Sequence, residues 1–307
     1  MQKIRRPNFG KIAAAALFMT VAAVGAAQED LVERFSGLPK GSNWELVSSG
    51  QLDFTTFHTQ GMTRVGDSFF LSSVDIIERT ERYDTPQDGF DRTPGTGRGL
   101  VFKMNMAGEL EETIELGAGD MYHPGGIDFD GEYVWVPVAE YRPDSESIIY
   151  RIHAETLEVT EVFRFPDHIG GIVHDTETGK LHGVSWGSRR LYSWNLDDSL
   201  SVTDTGAEPV ANKQHYIDYQ DCQYVGSSQM LCSGLAGYPG FTLGGIELVD
   251  LTIDTPVFQL PVLLATEAGR PMTQNPFYVE TADAGLRAYF VPEDDTSHLF
   301  VYEIAVR

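Results

Sequence analysis

Basic residues are scarce in this sequence: 22 lysines and arginines stand against 45 aspartates and glutamates in 307 residues, a formal charge of −23. Nucleic acids require a basic face, and this chain has too few cations to build one. Long apolar runs are scarce too. After residue 28 no stretch approaches the ~18 to 20 uninterrupted apolar residues of a membrane-crossing helix. Only two cysteines occur, and the nine-residue spacer between them is not a thiolate metal motif. Neither a His-Glu-x-x-His helix, nor a dinucleotide-binding fingerprint, nor a glycosylation sequon is found. No amphipathic helix longer than a few turns is evident. What remains, with 11% aromatics and 31 glycines, is a chain able to bury a large core and rich in turns.

The first 27 residues carry Lys3, Arg5, Arg6 and Lys11 and no acid. The apolar run Ile12 to Val24 and the small residues Gly25, Ala26 and Ala27 follow, which is the layout of a cleaved secretory signal peptide. Residues 28–307 are then a single exported domain, periplasmic or secreted, with a charge near −27 and no transmembrane segment. In an oxidising compartment Cys222 and Cys232 are expected to pair, because apolar runs flank a Gly226-Ser227-Ser228 turn and set the two opposite each other on a hairpin.

The chain repeats itself. Five segments begin alike, at His58-Thr-Gln-Gly-Met, His123-Pro-Gly-Gly-Ile, His168-Ile-Gly-Gly-Ile, His215-Tyr-Ile-Asp-Tyr and Thr273-Gln-Asn-Pro-Phe. Each is followed by a turn signal and a β-rich run such as Tyr133-Val-Trp-Val-Pro, then by a third alternating run such as Ser147-Ile-Ile-Tyr-Arg-Ile. Four units add a fourth run; the last ends at Arg307 without one. The segment Trp44 to Leu52 can supply it. This pattern predicts an all-β fold, a five-bladed β-propeller of four-stranded blades whose last blade is closed by the N-terminal strand. A six-bladed ring and an immunoglobulin-like sandwich are the alternatives.

The motifs Tyr122-His-Pro-Gly-Gly-Ile-Asp, Val136-Pro-Val-Ala-Glu-Tyr-Arg-Pro, Asp167-His-Ile-Gly-Gly-Ile-Val-His-Asp and Gly183-Val-Ser-Trp-Gly-Ser-Arg-Arg resemble those of a family of secreted propeller-like proteins catalogued as a domain of unknown function. The resemblance spans about residues 40–307 and implies the fold without an activity. In architecture the chain is also similar to glutamine cyclotransferases and to lactonase and arylesterase propellers, whose catalytic residues do not map onto it.

In a propeller, the start of each innermost strand and the connection from second to third strand meet at one mouth of the central channel. The repeat phase places His58, His123, His168 and His215 there as candidate ligands of a divalent metal. The same four residues also suit a packing device in which each ring bonds a neighbouring blade's carbonyl. Glu140, Glu293 and Arg189 are the candidate catalytic residues, as base or substrate clamp; Trp186, Tyr141, Asp218 and Arg190 are candidate ligand contacts. Two functions follow as expectations: a metal-assisted hydrolase of a small ester or lactone, or a non-catalytic propeller binding a small molecule, glycan or protein. The long connection Asp75 to Gly99 is expected to cover the mouth.

Overall fold

The computed structural model describes residues 28, 30–283 and 285–306. The proposed signal peptide lies outside these residues. A short helix over residues 30–36 leads into β1 (Glu45–Gln51), an exposed strand that pairs late in the ring. Blade one holds β2 (His58–Val65), β3 (Ser68–Glu78), a separate hairpin of β4 (Arg82–Gln87) and β5 (Phe90–Arg92), then β6 (Thr96–Asn105) and β7 (Leu110–Leu116). Blade two follows as β8 (Met121–Pro124) with β9 (Asp128–Phe129), β10 (Tyr133–Glu140), β11 (Ser147–His153) and β12 (Val159–Phe165). Blade three runs β13 (Ile169–Asp175), β14 (Lys180–Ser185), β15 (Arg190–Asn195) and the two-residue β16 (Val210–Ala211). Blade four is β17 (Asp218–Gly226), β18 (Gln229–Tyr238), β19 (Phe241–Asp250) and β20 (Thr255–Val262). Blade five is β21 (Phe277–Ala282), β22 (Gly285–Phe290) and β23 (His298–Ala305), and its fourth strand is β1, antiparallel to β23 with Gln51 opposite His298.

This is the five-bladed propeller the repeats predict, closed by the N-terminal strand. Closure leaves no inner strand without a neighbour, which removes the sheet-edge hazard of an open array. Alternation along each strand sends apolar side chains to both blade faces, so the core divides into five clusters, one per blade interface. Met62, Phe69 and Leu71 meet Tyr289 and Val291 between blades one and five. Trp135 and Ile149 meet Ile172 and Trp194 between blades two and three. Phe35 of the entry helix packs with Phe277 and Phe290. Each fully buried large side chain contributes about 1.5–3 kcal/mol.

At the end away from the mouth, polar clasps tie neighbouring blades. Asp130 Oδ2 lies 2.8 Å from His174 Nδ1, Asp175 accepts from Tyr224 Oη and Ser228 Oγ at 2.8 and 2.7 Å, and Arg64 pairs with Glu280. Cys222 and Cys232 stand opposite each other in the β17–β18 ladder and form the expected disulfide.

Along the axis the repeat has a chemical centre that the sequence pattern concealed. Met62, Ile127, Cys222 and Phe277 are equivalent positions along the innermost segments of four blades, Ile127 lying between β8 and β9, and the backbone N–H of each donates to the Asp221 carboxylate at 2.8, 3.1, 3.1 and 3.2 Å. One side chain therefore ties blades one, two, four and five together. Glycines make room for it: a Cβ on Gly61 would stand 2.6 Å from Gly126 Cα and 2.8 Å from Asp221 Oδ1, and a Cβ on Gly126 would meet Asp221 at 2.8 Å.

That register corrects the phase of the fourth repeat. Counting four residues back from Met62, Ile127 and Cys222 gives His58, His123 and Asp218, so the fourth inner strand starts at Asp218. His215 precedes it in a loop. His215-Tyr-Ile-Asp and Asp218-Tyr-Gln-Asp look alike as strings; only Asp221's partners set the frame.

Candidate functional site

Three of the four histidines come together. His58 opens β2, His123 lies in β8 and His168 directly precedes β13; neighbouring ring centroids are 6.1 Å (His58 to His123) and 6.4 Å (His123 to His168) apart. Tyr141 stacks on His123 at 4.2 Å with planes 12° apart, and Trp186 meets His168 edge-on at 4.7 Å and Tyr141 at 5.7 Å. The five rings make one continuous wall across blades one to three. Two are predicted ligand contacts, Tyr141 and Trp186, and both are half-buried.

Burial fixes the charge of this wall. His123 and His168 are 5% and 6% exposed. Burial depresses His123 well below its ordinary value, helped by the neighbouring His58 and His168, and depresses His168 to about 4. Both are neutral at pH 7. Tautomers follow from the partners: a carbonyl only accepts, so His168 Nδ1, 2.8 Å from Glu140 O, carries the proton and leaves a lone pair on Nε2. His58 Nδ1 lies 2.9 Å from Asp294 Oδ1 and is fixed in the same way. His123 Nε2 is buried without a partner. Among the described residues, no three His, Cys, Asp or Glu side chains are gathered so as to hold a metal ion.

The connection Asp75 to Gly99 does reach over the mouth, as a hairpin rather than a plain loop. An Asp88-Gly89 turn joins β4 to β5, with positive φ at both residues. Arg92 lies 5.1 Å over the Trp186 ring, and Phe90 lies under the Arg142 guanidinium at 3.5 Å. Tyr122 Oη donates to Pro94 O at 2.7 Å, anchoring the stem.

Arg92, Arg142, Arg190 and Arg270 each have a carboxylate, whereas the exposed Arg79 has none among the described residues. Arg92 bonds Asp91 at 2.8 and 2.9 Å, Arg142 bonds Glu140, Arg270 Nη1 lies 2.8 Å from Asp294, and Arg190 lies 2.6 Å from Asp144 and 3.0 Å from Asp167. Glu140 is thus held by Arg142, and Arg190 by two carboxylates. Glu293 is engaged by His298, whose Nδ1 and backbone N–H lie 2.7 and 3.0 Å from its Oε2. His215 forms a cluster apart from the wall: its Nδ1 donates to Asn212 O at 2.7 Å, its Nε2 faces Arg189, and Arg189 lies 3.0 Å from Asp218.

The sequence also contains a Gly-x-Ser-x-Gly spacing over 183–187. It is not a nucleophile elbow: Ser185 has φ −80°, is 2% exposed, and its Oγ accepts the Arg190 N–H at 3.0 Å. A cavity of about 980 Å³ lies away from the mouth, between residues 37–45 and the ends of blade five; its lining includes no histidine and no aromatic residue.

A family model described as a family of unknown function (DUF6454) matches residues 14–307. No curated protein sequence is significantly similar to the chain. Among solved structures, a hypothetical protein from Leishmania major is similar at 11% identity and a TM-score of 0.52, over 84% of this chain and 90% of that one. The tail fiber of Staphylococcus aureus phage P68 is similar at 9% identity and 0.50, over 90% of this chain and 55% of that one. A luciferin-regenerating enzyme is similar at 10% identity and 0.47, over 87% and 98%. At such identities the likeness is one of fold.

Proposed function

The chain belongs to DUF6454, a family of unknown function, and from that premise we propose that its lidded mouth binds a small, uncharged, polar ring compound. The observation that carries this reading is the wall His58–His123–His168–Trp186–Tyr141, closed over by Arg92 of the β4–β5 hairpin. Aromatic faces reward a flat or ring-shaped ligand, and neutral imidazole nitrogens supply hydrogen bonds without charge. Arginines already paired with carboxylates have little left for an anion, so a charged ligand would have to displace an existing partner. The row of rings suits hydrogen bonding along a wall better than ligation of one ion, because separate partners fix the rings rather than a common point. Cys222–Cys232 supports work in an oxidising compartment, in keeping with export.

Tryptophan fluorescence and melting temperature, measured with glucose, δ-gluconolactone and 4-nitroanisole against the anion 4-nitrobenzoate, test this. At least one neutral probe should quench Trp186 and raise the melting temperature, an effect lost in Trp186→Ala and His168→Ala. Tighter binding of the carboxylate, or no response to any neutral probe, refutes it.

A further inference from the structure

Resting on that reading of the mouth, we propose that His58 is a general base there, held by Asp294 and Arg270, and that the compounds it acts on are uncharged carboxylic esters, open or cyclic. Three elements distant in sequence build the arrangement. His58 opens β2 of blade one, Asp294 lies in the connection between β22 and β23 of blade five, and Arg270 in the segment leading from blade four to blade five. His58 Nδ1 is 2.9 Å from Asp294 Oδ1, and Arg270 Nη1 is 2.8 Å from Asp294 Oδ2, so the carboxylate uses one oxygen for each. Burial opposes ionisation of Asp294, yet hydrogen bonds from His58 and Arg270 hold its carboxyl below the ordinary value. It is an anion at neutral pH, and it presents His58 with its Nε2 lone pair free.

Among the described residues three other histidines lie beside carboxylates, and none has this form. His215 Nε2 is 3.8 Å from Asp218 Oδ1, beyond hydrogen-bond distance, with Arg189 against the same nitrogen. His174 with Asp130 is sealed, at 8% and 5% side-chain exposure, and Asp130 also accepts from Trp135 Nε1 at 2.7 Å. His298 with Glu293 closes a local turn through the same residue's backbone N–H. His58 and Asp294 are each 29% exposed, in contact with both the mouth and solvent.

The backbone around the pair is held in a costly shape. Phe57, directly before His58, has φ +55°, and Asp295, directly after Asp294, has φ +59°. A bulky aromatic residue in the left-handed region is an outlier. The two are laced together: Asp295 N–H donates to Phe57 O at 2.7 Å, Thr56 N–H donates to Asp295 O at 3.0 Å, and Thr59 Oγ donates to Val291 O at 3.1 Å. Strain retained at two positions that fix one imidazole against one carboxylate is the signature of a preorganised site.

The chemistry follows from the tautomer. Nε2 takes a proton from water as the water oxygen bonds to the acyl carbon and the C=O π pair moves to the carbonyl oxygen. The imidazolium is balanced by Asp294. Collapse re-forms the C=O, breaks the acyl C–O bond, and the departing alkoxide takes the proton from Nε2, leaving acid, alcohol and neutral His58. Asp294 is a positioning residue, since it acts through His58.

The test uses the disulfide-intact protein and 4-nitrophenyl acetate, following release of 4-nitrophenolate. Saturable turnover is expected. His58→Ala should lower kcat/KM by about 10²–10⁴-fold, and added imidazole, corrected for its own rate, should restore part of it. Asp294→Asn should lower kcat, expressed per folded protein from its circular dichroism, with KM within about twofold; the normalisation is needed because a smaller folded fraction also lowers apparent kcat at constant KM. His153→Ala, at the end of β11, should leave turnover unchanged. Absence of saturable turnover, a His58→Ala rate equal to wild type, or no imidazole rescue of a folded variant overturns the proposal. If any of the neutral probes still quenches Trp186 while turnover is absent, only the base role falls; if none of them does, the binding reading falls with it.

Discussion

Replacing Asp221 should show how much of the ring depends on one carboxylate. In the wild type its two oxygens accept four backbone N–H groups, from Met62, Ile127 and Phe277 on other blades and from Cys222 on its own. Asp221 is 1% exposed, so no water stands ready to replace it. Asp221→Ala strands three inter-blade donors, each costing about 1–3 kcal/mol when buried without an acceptor. The sum, about 3–9 kcal/mol, approaches the whole stability of an ordinary domain, about 5–15 kcal/mol. Asp221→Asn keeps the shape and one acceptor oxygen, but turns an NH₂ toward two N–H donors. It should cost roughly 2–5 kcal/mol. Urea unfolding followed by circular dichroism gives the comparison, with the midpoint moving and the slope unchanged. An Asp221→Asn loss below about 1 kcal/mol would refute the claim that this carboxylate joins the blades.

Stability should fall as pH falls from about 6.5 to 4. Burial holds His168 and His182 down to about 4 and His123 well below its ordinary value, so the folded state refuses protons that the unfolded chain accepts in that window. For His168 the effect is about 3 kcal/mol by pH 4; melting temperatures should track it, and His168→Gln should flatten the curve, whereas equal values at pH 6.5 and 4.5 contradict the burial. Replacing both Cys222 and Cys232 by serine opens a loop of sequence separation 10 and should cost about 3 kcal/mol, read as a lower urea midpoint; an unchanged midpoint speaks against any stabilisation. Gly61→Ala forces a Cβ to 2.6 Å from Gly126 Cα and should cost several kcal/mol or prevent folding, with Gly66→Ala, where nothing lies within 4 Å, paying only for its positive φ.

Where the sequence was legible, it was because a local pattern repeats. Alternation after each turn signal marks strands, and an absent fourth strand at Arg307 beside a spare strand near Trp44 marks closure. The cysteine pair was legible because a hairpin sets its own register. The β4–β5 hairpin was hidden by its polar composition, although Asp88-Gly89 is a hairpin turn. Asp221 looked like one acid among 45, and His215 like a fourth member of a ring, because strings do not carry the three-residue shift that β17 reveals. Glu293 and Asp294 are neighbours in sequence, and nothing in their order says that one turns to His298 and the other to His58.

The sequence by itself determined the blades, their number and their closure, since each depends on periodicity within about 50 residues and on the burial of alternating side chains. The tertiary structure alone decided the site: which imidazoles share a wall, which carboxylate each arginine neutralises, and which acid holds His58. Those choices depend on distances between residues up to 236 positions apart in the chain, and such distances are set only when five interfaces pack at once.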